Sequence, residues 1–460
     1  MIGKKTFLLG CLMVTAVLSF AQQVKDVKFT AEMKQQMCDK VKQAAQHAWK
    51  GYKDFASGAD DLKPLTKQPK NWYNQSMLMT PVDAFDTFTL LGLTAEAKEA
   101  KELILTKLDF NINNDVQVFE ITIRLLAGLL TAYELDGDKK FLTLAEDLGN
   151  RLMPAFNTST GMPYRYVHLQ TGKTRDGINN PAEIGTLMME FGKLSKLTRN
   201  SKYYDAAKKA IMYVYNNRSK IDLVGEQIDV QTGKWVTTRS HIGAYIDSYY
   251  EYLYKSWLLF GDKDFKTAFD THNKAIKKYL ISKTSKGWFM HQVDMNTGKI
   301  IGTTYGALEA FYAGLCAFSG DVETGKNIQE ANYYMWTKFN LEPEEFDFKA
   351  DTITSAYYIL RPENLESCFY MYRLTGEIKY LLQGKVMVES IIDHCKTEVA
   401  FASLKNVQTF EKTNSMESFF FGETLKYAYL IFAPESTLDL KKVVLTTEAH
   451  PFKIENKNSN

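Results

Sequence analysis

Ile246-Asp-Ser-Tyr-Tyr-Glu-Tyr-Leu-Tyr-Lys-Ser-Trp-Leu-Leu-Phe-Gly-Asp-Lys-Asp-Phe265 is the stretch from which the fold can be read. Its first part reads as a buried helix, and Gly261-Asp-Lys-Asp-Phe265 is a short polar turn of the kind that separates one helix from its antiparallel partner. The buried part nevertheless carries two carboxylates, Asp247 and Glu251. The same contradiction recurs along the chain. Glu120 interrupts the apolar run from Val116 to Leu126, Glu183 sits in Ala182–Met189, Glu363 and Glu366 open another such run, and Glu423 lies within Ser418–Leu425. An unpartnered buried polar group costs on the order of 2 to 7 kcal/mol even when neutral, so a fold does not scatter so many through its core. These acids are expected to line one shared wet cavity.

Polar turns like the one at Gly261 punctuate the sequence at a period near sixty residues: Gly137-Asp-Lys-Lys-Phe141, Arg199-Asn-Ser-Lys-Tyr203, Gly320-Asp321 and Gly376-Glu-Ile-Lys-Tyr380. A second series runs out of phase with it: Gln170-Thr-Gly-Lys173, Gln231-Thr-Gly-Lys234 and Asn296-Thr-Gly-Lys299. Alternating residues flank the latter two, which marks β-hairpins with Gly at a positive-φ position. A repeat that holds two helices, with no Pro- or Gly-rich linker across the chain, predicts stacked αα-hairpins. An open solenoid would bind along a concave face, whereas the buried acids favour a closed barrel whose inner helices surround a pit. Six or seven helix pairs fit between Thr30 and Phe432, followed by an extended tail, Val443-Val-Leu-Thr-Thr-Glu-Ala-His-Pro451. The 460 residues exceed the usual size of one domain, and one toroid over 22–460 accounts for the excess.

Composition is that of an ordinary globular chain, 45% apolar and 24% charged with a net charge of +2. No block of like charges suggests a nucleic-acid partner. Lys4 and Lys5 precede an apolar stretch ending Ser-Phe-Ala21, shorter than the roughly 20 residues that span a bilayer. This reads as a cleaved leader over residues 1–21, with a secreted or periplasmic mature chain from Gln22 and no membrane span. Cys11 follows Leu8-Leu9-Gly10 in the manner of a lipoprotein site, but most of the apolar stretch comes after it. Cys38, Cys316, Cys368 and Cys395 are too few for a disulfide scaffold and form no Cys-x-x-Cys pair, although one bridge is allowed in an oxidising compartment. The seven His show no His-Glu-x-x-His spacing, and neither Gly-x-Ser-x-Gly nor a phosphate loop occurs.

Several strings, taken in order, resemble glycoside hydrolase family 47, the class I α-1,2-mannosidases. They are Ala48-Trp-Lys-Gly-Tyr-Lys53, Asp60-Asp-Leu-Lys-Pro-Leu65, Val82-Asp-Ala-Phe-Asp-Thr87, Phe119-Glu-Ile-Thr-Ile-Arg124, Ala182-Glu-Ile-Gly-Thr186, Asp247-Ser-Tyr-Tyr-Glu-Tyr-Leu253, Leu360-Arg-Pro-Glu-Asn-Leu-Glu-Ser367, Met416-Glu-Ser-Phe-Phe-Phe-Gly-Glu-Thr-Leu-Lys426 and Thr447-Glu-Ala-His-Pro451. The text from Gly306 to Phe432 is most similar to the ER-degradation-enhancing branch, read here in a bacterial member. The resemblance implies an all-α (α/α)7 barrel with small hairpins and a tail that enters it. It also implies a calcium-dependent, inverting exo-α-1,2-mannosidase acting on high-mannose glycans or manno-oligosaccharides.

Inversion needs one protonated carboxyl and one ionised carboxylate about 6.5 to 9.5 Å apart, with a water between. The resemblance assigns the base to Glu363 and leaves Glu120 and Asp247 as candidates for the acid. Read without it, Glu120 and Arg124 make an ordinary i,i+4 pair worth about 0.2 to 0.5 kcal/mol. That pairing favours an ionised Glu120, which leaves Asp247, or a water held by Glu120, as the donor. Pro362 is expected at a helix start, with Glu363 in the first turn and Glu366 one turn on. Thr447 is implied as the one residue ligating Ca²⁺ directly, through its hydroxyl and carbonyl oxygens, with waters and sugar hydroxyls completing the six to eight oxygens and Glu423 and Glu448 holding those waters. Phe419 is expected to stack on a sugar, and Arg124 and Arg361 are counted among the residues that bind it. Glu183, Glu251 and Glu344 read equally well as sugar ligands or as structural ion pairs.

One departure from the family lies two residues before Asp247, where single-branch enzymes of the ER type have Arg and Golgi types have Leu. This chain has Tyr245, and Ala307 stands where the ER type has His, so branch preference does not carry over. The alternative function is a glycan-binding barrel with little turnover, although a binder needs no paired acid and base. A toroidal polysaccharide lyase would call for a Tyr/His or Arg-rich groove, which the near-neutral charge does not support.

Overall fold

The computed structural model describes residues 29–454; the leader and the Cys11 site lie outside them. Seven helical segments form an inner ring: Met79–Leu91; Val118–Ile121 continued as Ala127–Asp136; Pro181–Gly185 continued as Met188–Thr198; Asp247–Phe260; Phe311–Phe318; Glu363–Thr375; and Leu425–Phe432. Between them run outer helices Thr94–Lys107, Lys139–Leu152, Lys202–Asn216, Lys263–Tyr279, Val322–Phe339 and Ile378–Cys395. The seventh outer helix is the first in sequence, Ala31–Ala56, which packs on Leu425–Phe432 while that segment packs on Met79–Leu91. The ring therefore closes between its first and last members, and the fold is an (α/α)7 barrel.

The two layers differ as their sequences require. Outer Lys139–Leu152 buries only Phe141, Ala145, Leu148, Gly149 and Leu152, one stripe at helical spacing. Inner Met79–Leu91 is buried at almost every position because it has neighbours on all sides. Close approach of the inner helices needs small residues. A Cβ on Gly128 would lie 2.5 Å from Val82 Cγ1.

The polar turns do what their composition predicts. Gly137, Gly261, Gly320 and Gly376 take positive φ, and Asp138, Asp262 and Asp321 cap the helices that follow. At the fifth turn Arg199 takes φ 56° in place of Gly. All three Thr-Gly-Lys turns close antiparallel pairs. Two further hairpins, Glu345–Asp347 with Thr352–Ser355 and Leu404–Asn406 with Glu411–Lys412, use Asp351 and Phe410 in the left-handed position. The tail is not merely extended. Val443–Leu445 pairs with Pro451–Lys453, and the turn between them is buried inside the barrel. Lys426 Nζ donates to the Ala449 carbonyl at 2.8 Å and His450 Nδ1 lies 2.9 Å from Asp86, so this turn plugs one end of the ring. The four cysteines are buried and free, which removes the expected possibility of a bridge. Among the described residues no helix is long and apolar enough to cross a membrane.

Candidate active site

The anomalous acids cluster where inner helices begin. Asp247 and Glu363 are the first residues of their helices, and Glu183 is the third of Pro181–Gly185, where Asn180 Oδ1 accepts from its N–H at 2.9 Å. Pro362 occupies the capping position rather than the first helical one. Glu120 lies two residues before a π turn, Thr122–Leu126, that carries Arg124, and Glu423 sits inside a second π turn, Phe420–Thr424. Such turns insert an extra residue and re-aim the side chains around it. Non-glycine residues with positive φ border the same region: Tyr245 (75°), Leu360 (65°) and Ala449 (57°). Each costs of the order of 1 to 3 kcal/mol and is held by its surroundings; the Tyr245 carbonyl, for example, accepts from the Ala182 N–H at 2.9 Å.

These elements enclose a cavity of about 290 Å³ lined by Glu120, Arg124, Glu183, Tyr245, Asp247, Glu251, Arg361, Glu363, Glu366, Phe419, Glu423, Thr447 and Glu448. Thirteen of the fourteen residues singled out from sequence are thus brought together. The exception is Glu344, which does not line the cavity. Its carboxylate grips Arg361 through both oxygens, with Nε 3.0 Å from Oε2, which is the ion pair the sequence allowed as one of its two readings. The cavity is closed below by the tail turn, and Tyr245, 48% exposed, stands at its rim.

Cationic partners hold several of these acids. Glu183 receives Arg165 in a bidentate pair (2.9 and 2.7 Å), while Lys255 is bonded to Glu251 and lies 3.7 Å from Glu366. Arg124 bridges Glu120 (3.0 Å) and Glu448 (2.7 Å) and lies over the rings of Phe419 and Trp72. The pair predicted at i,i+4 is therefore real, but it belongs to a larger network that ties Glu120 to the plug. Asp247 and Glu363 are less fully neutralised. Burial pushes Asp247 up to about 7, against the hydrogen bond from Ser248 N and with the help of the Glu251 charge. Burial likewise pushes Glu363 up to about 8; Arg361 pulls it down, and Glu344 and Asp247 push it further up. Arg361 Nη1 stands 3.8 Å from Glu363 Oε1, and Glu363 Oε2 is buried without a hydrogen-bond partner among the described residues.

The donor set suits a hard cation. Eight carboxyl groups face two guanidiniums around the cavity, and no thiol or imidazole lines it. Thr447 donates its N–H to Tyr252 Oη at 3.2 Å, and among the described residues neither its hydroxyl nor its carbonyl oxygen accepts a hydrogen bond. Those two oxygens are free to face an ion. No group of three or more His, Cys, Asp or Glu is gathered to chelate one directly among the described residues, so the carboxylates would act on such an ion through water.

Sequence reasoning overlooked Arg165, Lys255 and Glu309. Lys255 was visible as an i+4 partner of Glu251, whereas Arg165 lies in irregular chain and carries no periodic signal. Glu309 shows the same anomaly as the other acids, a carboxylate within Ala-Leu-Glu-Ala-Phe311. It accepts from the Gly306 N–H at 3.0 Å, and burial holds it up at about 7.

Comparison with known proteins places this geometry in context. The family model described as Glycosyl hydrolase family 47 matches residues 44–454. ER degradation-enhancing alpha-mannosidase-like protein 2 of Homo sapiens is 36% identical over 450 residues, covering 90% of this chain and 77% of that protein. A mannosyl-oligosaccharide 1,2-alpha-mannosidase of Arabidopsis thaliana is 35% identical over 444 residues, covering 91% and 79%. Among solved structures, an alpha-1,2-mannosidase from Trichoderma reesei superposes with a TM-score of 0.85 at 29% identity, covering 91% of this chain and 99% of that one.

Proposed function

The chain belongs to glycosyl hydrolase family 47 and is a glycoside hydrolase of the mannosidase type, and from that premise we propose that it removes terminal α-1,2-linked mannose with inversion, in a calcium-dependent reaction. The observation that carries the exo reading is the blind cavity. With the Thr446–His450 turn buried at one end of the ring, a chain terminus can enter, but the middle of a polymer cannot pass through.

Asp247, pushed up to about 7 by burial, is still protonated in part at neutral pH and suits the role of donor to the leaving oxygen. Glu120, fixed by Arg124, is the second candidate, acting through a water that it orients. Glu363 is the base that activates the attacking water; burial holds it up at about 8, and the Arg361 guanidinium and a bound cation both act toward the ionised form that this role needs. Phe419, braced by Arg124, offers a ring face to the apolar side of a sugar. Glu183, Glu251 and Glu366 are held in place by Arg165 and Lys255, which leaves their remaining lone pairs for sugar hydroxyls. Thr447 would hold calcium through its two free oxygens, with Glu423 and Glu448 orienting the surrounding waters. The bound ion would orient sugar hydroxyls and offset the excess of negative charge.

Incubation with α-1,2-linked mannobiose, with calcium or with EDTA, tests this reading. Release of mannose only with calcium is expected. Binding of the disaccharide with no release under either condition would return the glycan-binding alternative.

A further inference from the structure

Behind the proposed base lies a buried polar cluster that the mechanism does not use. Asn364, the residue after Glu363, donates through Nδ2 to Glu342 Oε2 at 2.8 Å and accepts at Oδ1 from Gln329 Nε2 at 2.9 Å. Gln329 in turn accepts from Asn332 Nδ2 at 3.0 Å, and Asn332 accepts from the Tyr305 hydroxyl. Glu342, Asn364, Gln329 and Asn332 are all fully buried. Glu342 sits two residues before Glu344 in one short connection. That connection therefore holds both flanks of the base: Arg361 through Glu344, and Asn364 through Glu342.

Glu342 has no basic partner in hydrogen-bonding contact, and its Oε1 is buried without any hydrogen-bond partner among the described residues. The titratable and charged groups around it are Glu363, Glu344, Arg361, Tyr305, Tyr358 and Cys368. Burial pushes its carboxyl well above the ordinary range against the hydrogen bond from Asn364, and the Glu363 and Glu344 charges add to that effect. With no cation in contact and one oxygen unpartnered among the described residues, burial favours its uncharged form.

Resting on the assignment of Glu363 as the base, we propose that Glu342 is a positioning residue for it: the hydrogen bond it accepts from Asn364 holds the first turn of the Glu363 helix without placing another negative charge behind the base. An apolar side chain at this position would fill the space but leave Asn364 Nδ2 with only the Asn332 carbonyl, 3.3 Å away, toward which it would draw that turn. A misplaced base costs turnover, by as much as about 10² for an error near 1 Å, while ground-state sugar contacts survive.

The test is steady-state kinetics on α-1,2-mannobiose in calcium across pH, with a thermal melt of each variant. Glu342→Gln keeps a neutral acceptor and is expected to retain kcat within about threefold, with the acid limb of the kcat profile in place. Glu342→Leu is expected to lower kcat about tenfold or more with KM changed less than about twofold. If Glu342→Leu does not fold, Glu342→Asp, which draws the acceptor back by one methylene, is expected to show a smaller loss of the same kind. Wild-type kcat in the Leu variant, or in Asp where Leu does not fold, would overturn the proposal. So would a loss confined to KM, or a Gln variant whose acid limb moves by about one pH unit, since Glu342 would then carry charge. Glu363→Gln is measured in parallel. Activity surviving in that variant would remove the base assignment itself, whereas an inactive Glu363→Gln beside a fully active Glu342→Leu would remove only this inference.

Discussion

Replacing Glu363 by Gln should nearly abolish turnover and at the same time stabilise the fold, and both effects come from one buried carboxylate. Burial holds Glu363 up at about 8, against the pull of Arg361 and with the help of the Glu344 and Asp247 charges, and its Oε2 has no hydrogen-bond partner among the described residues. The distance from an ordinary 4.5 to about 8, at about 1.4 kcal/mol per pH unit, sets an upper limit of about 5 kcal/mol on the cost of keeping this group ionised in the native state. The amide and the protonated carboxyl are both neutral and carry similar burial costs, so that upper limit of about 5 kcal/mol is also the largest gain expected from Gln. Because the native carboxyl binds its proton more tightly than the unfolded one, the native state carries more protons between these two values and stability falls as pH rises. The gain from Gln should thus be absent near pH 4.5 and complete only above about pH 8. Calorimetric melts of both proteins in EDTA, so that no cation offsets the charge, should separate by a few degrees at about pH 8.5 and coincide at about pH 4.5. Turnover should fall on the order of 10² to 10⁴-fold, the usual contribution of a general base. Coincident melts at the higher pH, or a gain already complete at the lower one, would refute the account of Glu363 as a strained buried acid.

Nascent product observed by proton NMR should be β-mannose, because the water activated by Glu363 attacks opposite the leaving oxygen; α-mannose appearing first would reject inversion. Calcium should raise the melting temperature most above about pH 8 and progressively less as pH falls through about 7, since burial holds Glu448 up at about 7 and Glu423 above its ordinary range, and both must be ionised to hold the ion's waters; a shift independent of pH would argue against ion binding in this cavity. Lys426→Met removes the cation that holds both Asp86 (2.9 Å) and the Ala449 carbonyl, so it should cost about 3 to 5 kcal/mol by leaving Asp86 underpaired, and unfolding in urea measures the loss. Tyr245 presents a half-exposed ring at the rim where narrow relatives have a guanidinium, so mannose should leave more than one arm of a high-mannose glycan. A time course that stops after one mannose from a single arm, unaltered in Tyr245→Ala, would place specificity elsewhere.

Much of the fold was legible because helix boundaries are signalled locally. Gly at Gly137, Gly261, Gly320 and Gly376, followed by a capping acid at three of them, marks the turns from inner to outer helices whatever surrounds them. Where the same left-handed position is taken by Asp351 or Phe410, nothing in the composition distinguishes it, and those hairpins could not be counted from sequence. The acids of the cavity announced themselves as charges in apolar helices, which is a local anomaly. Their partners did not. Glu344 was indistinguishable from Glu183 or Glu251 until the chain brought Arg361 against it, and Glu342 gave no sign that it would lie behind the base. The tail's own residues showed only that it was extended, and its entry into the barrel came from the family resemblance; its place as the floor of the cavity depends on Asp86 and Lys426, held on other inner helices. Caps, turns and apolar periodicity depend on neighbours within a few residues and so are written in the sequence. Desolvation and ion pairing sum over everything that closes around a group, and only the assembled barrel determines which carboxyl keeps its proton.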